Sequence, residues 1–281
     1  LLGAARAHIV MGVRDQKAGQ DVQKEIQERG GTAAVFHLDL SSLESTRNFY
    51  NEVRQYLNQR KLGLDGIINN AGIYGAGGAT KDGFQATWQI NFLSPALLTR
   101  LLKPSLSSNG RILNITSDLH FLVTDGVSKY CSPPPTTSSR NALFDYALSK
   151  ACQIVHAHGL NLEFKDEKRS SGSGNYNANQ ECRRAFAVEV GQVQTNILRN
   201  AGFFTTCCWQ LMGSLYFETL DQGCAPVLFC LFAPDRDLGT ESIETCYYAN
   251  CAPSTYGKRF TCNKEAKMQN ELLDSLLAKY A

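Results

Sequence analysis

A tyrosine and a lysine four residues apart, in Tyr146-Ala147-Leu148-Ser149-Lys150, project side by side if the segment is helical. That proximity has a chemical use. A free tyrosine hydroxyl titrates near ~10, so acid/base work near neutrality needs roughly 4 kcal/mol of selective phenolate stabilisation, and a neighbouring ammonium can supply it. Alone, the motif is weak: Tyr and Lys at this spacing arise often by chance on a solvated helix face. It has ordered company, however. Asn69-Asn70-Ala71-Gly72 follows the apolar Gly66-Ile67-Ile68, where small residues let a ligand approach the backbone, although Asn and Gly also build ordinary turns. Asn91 sits in Trp88-Gln89-Ile90-Asn91-Phe92, on a helix otherwise lined by apolar residues, and Ser117 ends the apolar run Arg111 to Thr116.

The elements that would hold these residues are set by periodicity. His8 to Val13 is a β-type run, Gln16 to Arg29 has helical spacing, and Gly30-Gly31 is a helix stop. Ala33 to Leu38 is a second strand ending at Asp39, and Ser41-Ser42-Leu43-Glu44 resembles a capping box opening a helix through Leu57. Gly66 to Ile68, Arg111 to Thr116, Ala185 to Val188 and Thr245 to Tyr248 read as further strands. Between and after them, Asp82 to Leu102, Asn141 to Glu163, Leu220 to Phe232 and Asn263 to Tyr280 read as helices. Such alternation implies an α/β fold with a doubly wound parallel sheet covered on both faces, whose carboxyl edge is where ligands bind. The polar stretch from Lys165, with Ser170-Ser171-Gly172-Ser173-Gly174 at its centre, has neither period and is predicted to be an inserted loop at about 165–181 of a single domain, 1–281.

Bulk properties exclude several classes. The 281 residues are 43% hydrophobic and 19% charged with a formal net charge of +2, so no charge excess points to nucleic acid or an anionic membrane, and small metabolites are the expected ligands. The ten cysteines are scattered without a secretory signal or a Cys-x-x-Cys and read as free thiols in a reducing compartment. His156 and His158, two apart, fall on different helix faces, so no metal site is expected. No apolar run approaches the ~20 residues of a membrane-spanning helix.

The order Asp39, Asn69-Asn70-Ala71-Gly72, Asn91, Ser117, Tyr146-x-x-x-Lys150, Thr195 resembles the short-chain dehydrogenase/reductase family over nearly the whole chain. Asp82-Gly83-Phe84, Asn91-Phe92-Leu93 and Gln194-Thr195-Asn196-Ile197 are most similar to its retinol-dehydrogenase-like branch, which includes the WW-domain oxidoreductases. The resemblance implies a Rossmann-type NAD(P)-dependent oxidoreductase. Tyr146 would be the general acid/base and Ser117 would share the substrate oxygen. Lys150 would lower the tyrosine pKa and hold the nicotinamide ribose, and Asn91 would position a water leading from Lys150 to solvent. Asp39 and Leu40 would meet the adenine, Asn70, Ala71 and Gly72 would pass beside the adenosine ribose, and Thr195 would contact the carboxamide. Arg14, where the branch often carries an arginine beside a 2′-phosphate, favours NADP while NAD stays admissible.

The pattern breaks in places. The family opens with a strand and a glycine-rich loop that meets the pyrophosphate, and Leu1 to Ala7 aligns after that loop. The fold is therefore expected to be N-terminally truncated, with exposed strand edges, poor folding and weak cofactor binding. An incomplete reading of the gene for a working enzyme and a shortened, non-catalytic interaction protein are the competing explanations, and the upstream genomic sequence separates them. Glu189-Val190-Gly191 stands where the family usually has Pro before the glycine, which is expected to loosen the turn beside the nicotinamide. Phe203, Phe204, Trp209, Leu211, Met212, Leu215, Tyr216 and Phe217 lie where the family places its substrate lid. They suit a hydrophobic alcohol or carbonyl such as a retinoid, steroid or lipid aldehyde, or equally a packing or membrane-surface helix. The resemblance further admits a homodimer and a cytoplasmic protein attached to a membrane through its missing N-terminus.

Overall fold

Successive residues of a strand point to opposite faces, and here that alternation sorts the core into two layers. In the computed structural model, which describes residues 2, 6–131, 134–136, 141–170, 182–191, 193, 219–238, 246–255 and 257–280, the elements run in the alternating order expected. Strand β1 (His8–Val13) leads into helix α1 (Gln16–Glu28), β2 (Thr32–His37), α2 (Leu43–Arg60) and β3 (Leu64–Asn69). A broken helix comes next, made of α3 (Ala86–Trp88), a π turn (Gln89–Leu93) and α4 (Ser94–Leu102), and then β4 (Leu106–Thr116). A 3-10 turn (Asp118–Leu122), α5 (Ser128–Cys131), α6 (Ala142–Ser170) and β5 (Arg184–Glu189) continue the chain. It closes with α7 (Leu220–Phe232), β6 (Tyr247–Ala249), β7 (Ala252–Pro253) and α8 (Asn263–Tyr280).

Strands β3, β4, β5 and β6 are hydrogen-bonded in that order and parallel, with β7 added antiparallel. Strands β1 and β2 form a separate parallel pair, and no ladder joins them to β3 among the described residues. Ile112, Ala185, Ala187 and Tyr247 face the layer built by α2, α4, α6 and α8. Their neighbours Leu113, Phe186, Val188 and Tyr248 face the layer that includes Cys230 and Leu231 of α7. Helices on both faces of a parallel sheet are the doubly wound α/β architecture.

Several boundaries differ from the sequence reading. Helix α2 is capped by Ser42, whose side chain accepts from the Ser45 N–H, so the expected box headed by Ser41 does not form. Ser41 instead gives its N–H and hydroxyl to Asp39 at 2.9 and 2.7 Å. The helix expected from Asp82 begins at Ala86, because Gly83 has φ +84 and the Asp82 carboxylate is committed to Leu43 N and Gln89 Nε2 at 2.8 and 2.7 Å. Strand β4 starts earlier than Arg111, at Leu106, where pairing with Leu64 begins. Residues 165–170 are helical rather than loop. Glu163 and Glu167 of α6 pair with Lys103 at 2.7 and 3.0 Å, fastening the helix beyond Glu163. The last predicted strand shifts to Tyr247–Ala249, and Thr245 lies outside the described residues. No described helix is long and apolar enough to cross a membrane.

Candidate functional site

Ser117 is placed at the carboxyl end of β4 by the strand itself and by its role as cap of the next turn, its hydroxyl accepting from Leu119 N at 3.3 Å. The same hydroxyl donates to Asp118 Oδ1 at 3.0 Å. Tyr146 and Lys150, one turn apart on α6, face this point. Lys150 Nζ lies 5.4 Å from the centre of the Tyr146 ring, and the Tyr74 ring meets Tyr146 edge-on at 5.5 Å. Lys150 donates to the carbonyl of Ile115 at 2.7 Å, while Thr116 donates to the Lys150 carbonyl at 3.0 Å, so β4 fixes both ends of this residue.

Asn91 occupies the middle of the π turn, a distortion that often marks functional positions. Its Oδ1 accepts from Ile73 N at 2.8 Å and its Nδ2 donates to Ile73 O at 2.9 Å, clamping the segment after β3 in the manner of a paired strand. Nδ2 also reaches Ser149 Oγ at 3.1 Å, and the Asn91 carbonyl accepts from Gln153 Nε2 at 2.7 Å. These bonds give Asn91 a direct structural role between the π turn, the segment after β3 and α6. A Cβ on Gly72 would stand 3.6 Å from Lys150 Nζ and 3.7 Å from Asn91 Oδ1. Gly72, Asn91, Tyr146, Lys150 and Ser117 thus converge on one corner.

Electrostatics at this corner differ from the sequence expectation. Burial pushes the Tyr146 phenol up, the Ser117 hydroxyl opposes the shift, and the Asp118 carboxylate adds to it. Burial also weakens the Lys150 ammonium, to about 7. Both charged forms are disfavoured by the same dry surroundings. The Glu189 carboxylate accepts from the Tyr247 hydroxyl, and Gly191 takes φ +73.

A second corner lies beyond β1 and β2. Arg14 is exposed at the end of β1. Burial works to raise the Asp39 carboxyl, but Ser41's hydroxyl and N–H, with the Arg14 and His37 charges, hold it below its ordinary value. Leu40 is tied to the start of α4 by Ser94 Oγ at 2.7 Å. Asn70 and Ala71 present an exposed stretch of chain after β3. Arg14, Asp39 and the backbone after β3 are the described groups at this corner that could hold a nucleotide. Thr195 and the expected lid residues lie outside the described residues.

Sequence reasoning missed Gln153, Tyr74, Ser149 and Asp118. Of these, Ser149 and Gln153 could have been found from their spacing, three residues from Tyr146 and from Lys150. Helix α6 is buried within the chain from Phe144 to Asn161. No group of three or more His, Cys, Asp or Glu among the described residues could hold a metal ion.

A family model described as short chain dehydrogenase matches residues 1–133. Short-chain dehydrogenase TIC 32 A, chloroplastic, of Brassica napus is 27% identical over 267 residues, 91% of this chain and 76% of that protein. Retinol dehydrogenase 14 of Mus musculus is 28% identical over 262 residues, 87% of this chain and 71% of that protein. Among solved structures, a short chain dehydrogenase from Burkholderia cenocepacia J2315 in complex with NADP is 22% identical. It covers 88% of this chain and 87% of that one with a TM-score of 0.58, a likeness of fold.

Proposed function

We infer that the chain is a short-chain dehydrogenase/reductase of the retinol-dehydrogenase-like kind, and that it interconverts an apolar alcohol and its aldehyde or ketone with NADP(H). The nicotinamide, when bound, supplies or receives the hydride at the substrate carbon. Everything else falls to side chains of this protein. In reduction, the Tyr146 hydroxyl gives its proton to the carbonyl oxygen, and Ser117 donates a hydrogen bond to that oxygen as negative charge grows on it. In oxidation the same hydroxyl removes the alcohol proton.

The observation that carries this reading is the convergence of Ser117, Tyr146 and Lys150 at the carboxyl end of β4, with Lys150 Nζ 5.4 Å from the centre of the Tyr146 ring and bonded to the carbonyl of Ile115. The buried tyrosine keeps its proton near neutral pH. Lys150, with a pKa near 7, is then part amine and able to relay a proton toward Tyr146 or away from it. Arg14 would pair with the 2′-phosphate, which selects NADP over NAD. Asp39 and Leu40 would meet the adenine, Asn70, Ala71 and Gly72 the adenosine ribose, and Thr195 the carboxamide. Substrates of the retinoid, steroid or lipid-aldehyde class partition into bilayers, so a cytoplasmic enzyme of this kind would meet the membrane surface peripherally.

The test is coenzyme consumption by the purified gene product with apolar and short polar aldehydes, using NADPH and NADH. NADPH-dependent turnover of the apolar set is expected. Absence of turnover with either coenzyme in both directions would refute the assignment.

A further inference from the structure

Two cysteines outside the proposed chemistry are brought together by elements that the sequence keeps apart. Cys131 ends α5, on the connector that leads from Ser117 to the helix of Tyr146, and Cys152 lies on that helix two residues after Lys150. Their sulfurs are 3.5 Å apart, although the residues are 21 positions apart in the chain. The contact is held from both sides. At the start of α5, the Ser128 N–H and hydroxyl both donate to the Glu265 carboxylate of α8, at 2.8 and 2.7 Å. The neighbouring Tyr130 ring packs edge-on to Phe144 of α6 at 5.0 Å. Cys152 is held in turn by Gln269 of α8, which donates to its carbonyl at 3.2 Å. Closing the sulfurs to a bond needs an approach of about 1.5 Å, within reach of side-chain rotation and a small shift of the short helix.

We propose that Cys131 and Cys152 are a reversible redox pair whose disulfide staples the Ser117 connector onto the helix that carries Tyr146 and Lys150. The oxidant is a hydroperoxide. The Cys131 sulfur attacks one oxygen of the peroxide bond, that bond breaks, an alcohol (or water) leaves with the thiol proton, and Cys131 becomes a sulfenic acid. The Cys152 sulfur then attacks the sulfenic sulfur, the S–O bond breaks, and water leaves with the second thiol proton. Two electrons pass from the sulfurs to the peroxide, and an external dithiol reverses the change.

The order of attack is dictated by exposure. Cys131 is 7% exposed, whereas Cys152 is wholly enclosed. Burial, with Cys131 beside it, holds the Cys152 thiol well above its ordinary range. Cys152 is therefore slow toward any dissolved oxidant and fast only toward a sulfur already at its side, where proximity replaces nucleophilicity. The staple would close a loop containing both Tyr146 and Lys150, so redox state and the geometry of that helix are linked.

The experiment treats the folded protein with hydrogen peroxide after its exposed thiols, Cys224 and Cys262 among them, have been alkylated. Unfolding, a second label and peptide mapping come after. The expected result is a linked pair of peptides bearing Cys131 and Cys152, lighter by two hydrogens and restored to alkylatable thiols by dithiothreitol. A rise in thermal midpoint should accompany it and be absent from Cys131→Ser and Cys152→Ser. If both residues of the oxidised wild-type protein still take the second label, or either links to a different cysteine, the proposal is overturned. The wild-type map decides this even if a variant fails to fold.

Discussion

Lys150 is 3% exposed and gives its ammonium to a strand carbonyl, whereas Arg14 stands in solvent at the end of β1 and acts on Asp39 through charge. Around Lys150, Asn91 and Ser117, polar groups are fixed by backbone atoms of neighbouring elements before any ligand arrives. Around Arg14 the polar groups are adjustable and screened by water. The first corner is built for orientation, where an error of about an ångström is expensive. The second is built for attraction, where position matters less. Changes in the first should therefore strike turnover and folding, and changes in the second should strike coenzyme affinity alone.

The sharpest way to break this contrast is Tyr146→Phe, which keeps the buried ring and removes the proton donor. Turnover should fall about 10³-fold with the thermal midpoint little changed, and an active variant would remove the tyrosine from the chemistry. Asn91→Ala comes next. It strips the Ile73 N–H and carbonyl of their partners, so urea denaturation should show a loss of about 3 kcal/mol. A loss below about 1 kcal/mol would mean that the clamp is not structural.

A third measurement uses pH to probe the same dry layer away from the reacting groups. Burial, aided by the Arg100 charge, pushes His156 down to about 3, and its ring meets Asn114 Nδ2 through Nδ1 at 3.2 Å. The unfolded chain takes up a proton below about 6.5 and the folded chain does not until near 3, so stability should fall with pH across that window. Between about pH 6.5 and 4.5 the loss should be about 2 kcal/mol, measured by urea midpoints, and His156→Asn should flatten it. The smallest effect belongs to the exposed corner. Arg14→Ala should raise KM for NADPH about tenfold, leave KM for NADH and stability unchanged, and spare kcat. A fall in kcat instead would erase the distinction between the two corners.

The sequence shows chemistry best where it is local. Tyr146 and Lys150 can be paired because helical spacing alone puts them on one face, and the strands β4 and β5 can be read because buried parallel strands are apolar on both faces. What stays hidden depends on partners far along the chain. Nothing in the local pattern of Asp82 reveals that Leu43 and Gln89 will claim its carboxylate and delay the helix. Nor does the polar run after Glu163 announce that Lys103, sixty positions earlier, will hold α6 in register. The sign of the Tyr146 shift escapes the sequence for a related reason. A neighbouring ammonium can be seen there, but the burial that weakens it is a property of the packed fold.

The π turn at Gln89–Leu93 carries a consequence for how this region can vary. A wide turn accommodates one residue more than a regular helix would, so removing one residue there would restore ordinary winding with α3 and α4 in phase and would abolish only the bulge that aims Asn91 at Ile73. Asn91 would swing off Ile73 while the apolar seam of α4 kept its phase. Substitutions can be absorbed along this stretch one side chain at a time, but a single-codon deletion would uncouple the loop after β3 from the helix in one step.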